Sequence, residues 1–503
     1  MGLPTYPESY WLATVGMPSY GKLEKDLEAD VAIVGGGIAG LTTAYLLAKE
    51  GKSVVLATAG KLLGGTTGYT TAKLTAQHDL IYDEYIAHFG EERAKRYYEA
   101  NMEGLAFIRQ LAEEANIDCD LVEEDAYVYT NAESKIASVE KEYEAYKRLG
   151  IPGALEEKLA IPVPARLAVV MHNQARFHPV PYLKHLTEQF VKLGGRIFEN
   201  TTIDKVEENG GSVTVTTADG RRIDCRDAVS CSHFPIPDSG FYFARLHAES
   251  SYAIAVRAPG ELPKGMYISA EKPNRSVRTI TYGGEKLLLI GGESHKVGQS
   301  EPGFRHYEAL EAFARTEFGA TDIVYRWSAQ DFEATDKMPY IGPVSGGKKH
   351  IYVATGFRKW GMTTSVVAAH LLTDLIVGRG NRYADLYDPS RFHADPDLKT
   401  LVSQNVNVAG QLIRGKLEWL RRKPEDLGPD EGGLVRVDGR KAGAYRGPDG
   451  ELIVVDTTCR HMGCEVEWND GDRTWDCPCH GSRYTYRGEV IEGPAKKNLE
   501  RLN

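Results

Sequence analysis

Apolar residues fall into several distinct patterns along this 503-residue chain, and each predicts a different kind of element. Residues 30–40, DVAIVGGGIAG, form a continuous apolar run that ends in glycines, LTTAYLLAKEG has helix character, and KSVVLAT reads as a second strand. Strand, glycine turn, helix and strand in that order predict the start of a βαβ unit. Residues 79–116 are charged and helical in pattern, and VPYLKHLTEQFVKLGG (180–195) predicts another helix. Alternating strands follow through GSVTVTTADGRRIDCRDAVSCS, and between 247 and 297 the segments ESSYAIAV, GMYIS, SVRTITY and KLLLIGG predict an antiparallel sheet. Strand and helix return over 350–378. A helix near 396–422 puts Leu398, Leu401, Val402, Leu412, Leu417 and Leu420 on an apolar face, followed by Arg421, Arg422 and Lys423. RKPEDLGPDEGG (422–433) reads as a linker, and short strands close the chain.

At this length two or three domains are expected. Apolar residues at 42% and charged residues at 26% describe a globular protein. A net charge of −10 leaves no excess of cations to neutralise phosphates, which argues against a nucleic-acid partner. The uncharged run 31–48 is about as long as a membrane span, but its four glycines suit a buried strand, turn and helix. The N-terminus lacks the basic start and apolar core of a signal peptide, so the cytoplasm is the expected compartment. There Cys119, Cys225 and Cys231 are expected to be free thiols. For the 396–422 helix, docking between domains is favoured over contact with a membrane surface.

Gly35, Gly37 and Gly40 form G-x-G-x-x-G between a predicted strand and a predicted helix. Such glycines permit a tight turn and close approach of a pyrophosphate, which the helix N-terminus then meets with unpaired N–H groups. The acidic residue expected about 20 positions on to hold a ribose is replaced by Thr58, whose hydroxyl lacks charge assistance. GGTTGYTTAK (64–73) and the segment 336–372, with GFRKWGMTT at its centre, resemble the flavin-binding segments of the D-amino-acid oxidase family of FAD oxidoreductases. The resemblance implies a non-covalent FAD held near Thr66, Thr67, Gly68, Gly356, Gly361, Met362 and Thr363, with Val206 at the position of the family's adenine contact. Where members of the family place an arginine for the substrate carboxylate, this chain carries Lys359, flanked by Arg358 and Trp360. A solvated basic pair is the alternative for Arg358 and Lys359. His78 and Arg278 are further pocket candidates, against simple hydrogen-bonded structure.

Residues 459–484, CRHMGCEVEWNDGDRTWDCPCHGSRY, contain four cysteines and two histidines. Zinc would take four ligands and leave two unexplained. The order Cys459-x-His461, fifteen residues, Cys477-x-x-His480 resembles the Rieske motif, in which two cysteines hold one iron and two histidines the other. By that resemblance Cys464 and Cys479 occupy the places of a disulfide joining the cluster loops. Ser482 and Tyr484 stand where high-potential members carry hydroxyl donors to sulfur.

The expected fold is α/β plus all-β: a Rossmann-like FAD domain with an inserted α+β substrate domain, then a small β Rieske domain. FAD-binding parts are expected at 1–85, 171–235 and 326–385, and substrate parts at 86–170 (helical) and 236–325 (antiparallel sheet). A helix and linker follow at 386–430 and the Rieske domain at 431–503. FAD and a [2Fe–2S] cluster together imply an amine or amino-acid dehydrogenase that passes electrons through the cluster to a one-electron acceptor protein. A reductase in which a donor protein feeds FAD through the cluster, and a redox sensor or electron-transfer module, are the alternatives.

Overall fold

The structure, a computed structural model, describes residues 3–236, 238–299, 303–344, 347–392, 397, 399–417 and 422–503, without the side chains of 399, 401, 402, 409 and 413–417. Among the described residues the strands form four sheets. The first has the order Tyr340–Pro343, Ile351–Thr355, Arg222–Ser230, Leu27–Val34, Val54–Ala57, Arg196–Phe198. It is parallel from Ile351–Thr355 onward. Its central strands are buried on both faces, as parallel strands are. Val31, Ile33, Val54 and Leu56 meet the helical side. Ala32, Val34, Val55 and Ala57 meet the layer formed by Ile203–Asn209 and Ser212–Thr217. The continuous apolar runs are therefore a consequence of being covered twice.

The second sheet has the order Asp322–Ala334, Leu246–Arg257, Glu285–Lys296, Arg275–Tyr282, Met266–Ser269, Val122–Thr130, Leu167–Arg176, Lys73–Leu74. Its pairs are antiparallel except Met266–Ser269 against Val122–Thr130, which run parallel. The strand Asp322–Ala334 continues this sheet past the expected boundary at 325/326 and carries the chain back towards the first sheet. The helical stretch is two helices, Tyr82–Phe89 and Glu91–Glu114, separated at Gly90, whose φ of +84° suits glycine.

The last two sheets are small and antiparallel: Glu431–Val437, Arg440–Arg446 and Leu452–Val455, then Glu467–Asn469, Thr474–Asp476, Arg483–Thr485 and Val490–Glu492. Their shared core contains Trp475, Tyr484, Cys459 and Cys477. This C-terminal unit is seated on the second sheet. Its loop 470–473 inserts so closely that a Cβ on Gly471 would lie 2.8 Å from the carbonyl carbon of Gly303. The helix Lys399–Leu417 lies at the same junction: Gln404 accepts from Lys296 (2.7 Å), Asn407 accepts from Gln299 (2.8 Å), and Val408 and Leu412 pack against the C-terminal core. Leu398, Leu420 and Arg421 lie outside the described residues, as do the side chains of Leu401, Val402 and Leu417. No helix of the described residues is long and apolar enough to cross a membrane.

Candidate functional site

A cavity of about 1060 Å³ opens where the carboxyl ends of the parallel strands meet the second sheet and the C-terminal unit. Gly35 and Gly37 form its floor. A Cβ on Gly35 (φ +116°) would sit 2.3 Å from the Cys231 carbonyl oxygen, and one on Gly37 3.0 Å from the Thr67 hydroxyl. That hydroxyl accepts from Ile38 N–H (3.1 Å) at the start of the Ile38–Lys49 helix. Gly40 does a different job: a Cβ there would fall 1.9 Å from Gly35 O, so it lets helix and strand close up. Thr58, Thr66, Gly361 and Met362 also line the cavity. The last two open the Gly361–Ile376 helix, whose first N–H groups have no intrahelical acceptor. Gly68, Val206, Gly356 and Thr363 stand behind the lining. Val206 is on the adjoining antiparallel layer, with Thr201, Thr202 and Ile203 reaching the cavity instead. The glycine cradle and the exposed helix N-termini fit a dinucleotide.

The GFRKWG turn is strained. Arg358 (φ +50°) and Lys359 (φ +68°) are consecutive left-handed residues, at roughly 1–3 kcal/mol each. Backbone hydrogen bonds from Arg358 N to Phe332 O (3.0 Å) and from Lys359 N to Asp331 Oδ2 (2.5 Å) hold them there. The turn sends the two side chains different ways. Arg358 donates to His78 O (2.8 Å), while Lys359 Nζ lies 2.9 Å from Glu249 Oε2 on the opposite strand, both in the cavity wall. Burial opposes charge on Glu249, but Lys359 outweighs it and holds the carboxyl down at about 2.

His78 and Arg278 do not line the cavity. The His78 ring is stacked behind Trp360 at 5.0 Å and bonded to Tyr97 and Thr75, and burial, with Arg358 nearby, lowers its pKa to about 3. It is neutral and engaged. Arg278 is fully buried, donates from Nε to Thr71 O (2.6 Å) and lies over Trp11 at 5.2 Å.

Three residues meet at the junction, and two of them, His233 and Asp331, carried no sequence signal. His233 donates to Asp331 Oδ1 (3.0 Å) on the cavity side and to Glu492 Oε1 (2.6 Å) on the C-terminal unit. Burial works against its charge, yet the hydrogen bonds it donates to these two carboxylates prevail and carry its pKa up to about 10.

In the C-terminal unit, Cys459 and His461 come from one loop and Cys477 and His480 from another. Each loop is closed by its own turn, with Gly463 N donating to Cys459 O (3.0 Å) and Gly481 N to Cys477 O (3.1 Å). The disulfide Cys464–Cys479 ties the two loops together. The Sγ atoms of Cys464, Cys477 and Cys479 lie within 4.8 Å of one another. Since two of them are bonded as the disulfide, that trio is not a thiolate site. Cys459 and Cys477 are not in the disulfide, and the hydrogen bond from Cys477 is the main cause lowering the pKa of Cys459. The His461 and His480 rings meet edge to face, with centroids 5.0 Å apart. Burial depresses both, His480 to about 4, so both are neutral donors as metal ligation requires. His461 Nδ1 is buried without a hydrogen-bond partner among the described residues. Two neutral imidazoles, one with an orphaned nitrogen, beside two thiols fit a [2Fe–2S] cluster. Tyr484 Oη lies 3.3 Å from Cys459 Sγ, and Ser482 Oγ accepts from Ala495 N (3.1 Å). Tyr484→Phe should lower the cluster's midpoint potential, because a donor to sulfur favours the reduced form. An EPR-monitored redox titration showing an equal or higher midpoint would contradict this.

The two sites share a wall. His461 lines the same cavity as the glycine cradle, and its ring meets Phe234 at 6.2 Å. Phe243 meets His480 at 5.9 Å.

Fold and sites together define an oxidoreductase with a nucleotide-bound flavin and an iron–sulfur centre. The family model for FAD dependent oxidoreductases matches residues 30–375 and that for the Rieske [2Fe-2S] domain residues 420–503, and the chain belongs to the FAD dependent oxidoreductase family. It is 49% identical over 498 residues (99% of this chain, 98% of the relative) to YhfW of Bacillus subtilis, which is named for a Rieske 2Fe-2S iron-sulfur protein. It is 22% identical to the gamma-glutamylputrescine oxidoreductase of Escherichia coli, over 75% of this chain and 91% of that one. Glycine oxidase from Geobacillus kaustophilus shares the fold, with a TM-score of 0.62 at 19% identity, over 73% of this chain and 99% of that one.

Proposed function

We propose that this protein is an amine or amino-acid dehydrogenase that delivers electrons to an external one-electron acceptor protein. FAD supplies two-electron acceptance from the substrate, and the [2Fe–2S] cluster supplies one-electron transfer outward. The observation that carries this is His461, a cluster ligand position, in the wall of the cavity that holds the glycine cradle. The names of two relatives, for γ-glutamylputrescine and for glycine, support a substrate oxidised at a carbon–nitrogen bond. Three unpaired cysteines, Cys119, Cys225 and Cys231, support a cytoplasmic setting.

The Lys359–Glu249 pair bears on substrate class. A lone cation in the cavity would attract any anion. A preformed pair is instead matched by a zwitterion, whose carboxylate replaces Glu249 at Lys359 and whose ammonium replaces Lys359 at Glu249. Charge-assisted hydrogen bonds contribute about 1.5–3 kcal/mol, so Lys359→Met should raise KM for an amino acid roughly 10–100-fold. It should leave amines without a carboxylate little changed. Equal effects on both substrates would contradict the pairing. The function itself is tested by anaerobic titration with amines and amino acids, following flavin and cluster absorbance together. A substrate should bleach the flavin and then bring up the reduced-cluster signal. Bleaching only by an electron donor acting through the cluster would favour a reductase.

A further inference from the structure

The matched FAD family segment ends at residue 375, yet the cavity it forms is not complete there. Residues 490–496 and Asn498, from the far end of the chain, line the same cavity as Gly35, Thr58 and Thr202. This strap is held firmly on its own side. The strand Val490–Glu492 pairs with Arg483–Thr485, and Ala495 N donates to Ser482 Oγ. Gly493 (φ +100°) passes so near the cluster loop that a Cβ would lie 2.5 Å from Gly481 O. Beyond it Leu499 is buried in the Rieske core. On the cavity side it makes two attachments. Glu492 takes the hydrogen bond from His233, and Lys496 Nζ donates to Asp204 O.

Lys61, Lys337 and Lys359, which also line the cavity, are paired with Glu199, Glu84 and Glu249. Lys496 instead bonds to a backbone carbonyl, as the buried Lys73 does to Tyr267 O, and among the described residues no carboxylate contacts it directly. Burial lowers its pKa from the usual lysine value, Lys205 adds to that, and Asp204 and Asp238 oppose it. A dinucleotide brings two phosphates into a cavity whose ribose position carries Thr58 in place of a carboxylate.

We propose that a strap of the Rieske domain, residues 490–496 and Asn498, is part of the FAD-binding site, with Lys496 supplying positive charge to the dinucleotide and Glu492 latching the strap to the cradle through His233. FAD then leaves only when the strap lifts. By linkage, bound FAD must strengthen the seating of the Rieske domain by the same factor that the seated domain strengthens FAD binding. The inference rests on FAD as cofactor and is independent of the direction of electron flow.

The test uses the full-length protein with its cluster. FAD dissociation is measured for wild type, for the double variant Glu492→Gln/Lys496→Ala, and for Lys497→Ala, which alters a neighbouring cation outside the cavity. The double variant should raise the FAD Kd at least tenfold with its Rieske EPR signal intact, and Lys497→Ala should leave it unchanged. A Kd within twofold of wild type in the double variant would overturn the proposal. Wild-type protein stripped of FAD gives a second measurement that needs no variant to fold. Restoring FAD should slow amide exchange across 490–498 at least tenfold, and no slowing there would equally overturn it.

Discussion

Replacing His461 with alanine should yield a protein that binds FAD with an ordinary flavin spectrum and shows no Rieske EPR signal. The imidazole is one of two on its side of the cluster site, and its Nδ1 is buried with no partner among the described residues. A buried polar atom left unpaired costs about 1–3 kcal/mol, so the orphan nitrogen indicates a ligand. Alanine removes half of the nitrogen donors and leaves His480, Cys459 and Cys477 unable to complete four-coordination at both irons. Iron and sulfide content should fall close to zero. The fold of the small domain should largely persist, because Trp475, Tyr484 and the Cys464–Cys479 disulfide are untouched. A variant that retains the EPR signal, or a wild-type protein that holds zinc after anaerobic preparation, would contradict the assignment.

The second large effect is expected at Arg326, which does not line the cavity. Its guanidinium is fully buried and donates to Pro4 O (2.6 Å), Thr5 O (2.9 Å) and Gly471 O (2.7 Å) while lying 4.7 Å from the Tyr307 ring centroid. One side chain thus joins the N-terminal segment, the second sheet and the inserted Rieske loop. Arg326→Met keeps much of the apolar stem but strands three carbonyls. At about 1–3 kcal/mol for each carbonyl left unpaired, three dry ones would cost about 3–9 kcal/mol, and because Thr5 is exposed to water the expected loss is ~3–5 kcal/mol. That loss falls on the docking of the domains more than on either core. Calorimetry should show a Rieske transition separating at lower temperature from the FAD-domain transition, and protease should cut more readily within 422–430. A single transition at the wild-type temperature would show that Arg326 has no such role.

What the sequence made legible was the part of the site carried by contiguous residues. G-x-G-x-x-G between Val34 and the Ile38–Lys49 helix is a local device, because backbone turn, helix start and packing glycine all lie within a few positions. The two cluster loops are likewise short, each closed by its own turn. Residues whose role depends on sheet register were illegible. Glu249 reaches Lys359 across 110 positions, and His233 reaches Glu492 across 259, because strands distant in sequence end at one cavity. His78 and Arg278 show the converse. Residue type suggested a pocket, but the stacking of Trp360 over His78 and the bond from Arg278 to Thr71 turn both side chains into the protein. Gly68 and Thr363 neighbour lining residues without lining the cavity: Gly68 closes against Leu63 O, where a Cβ would lie 2.3 Å away, and Thr363 is bonded to Thr75 O. The strap was invisible for the same reason as Glu249: nothing in VIEGPAKKN says which distant surface it will cover.

Electrons should pass between the two redox sites within one molecule, and rapid pulse reduction of the flavin in the full-length protein tests this most directly. With His461 in the cavity wall, the reduced-cluster EPR signal should grow as the flavin reoxidises, at a rate independent of protein concentration. A rate that rises in proportion to concentration, or a flavin that stays reduced while the cluster stays oxidised, would contradict it.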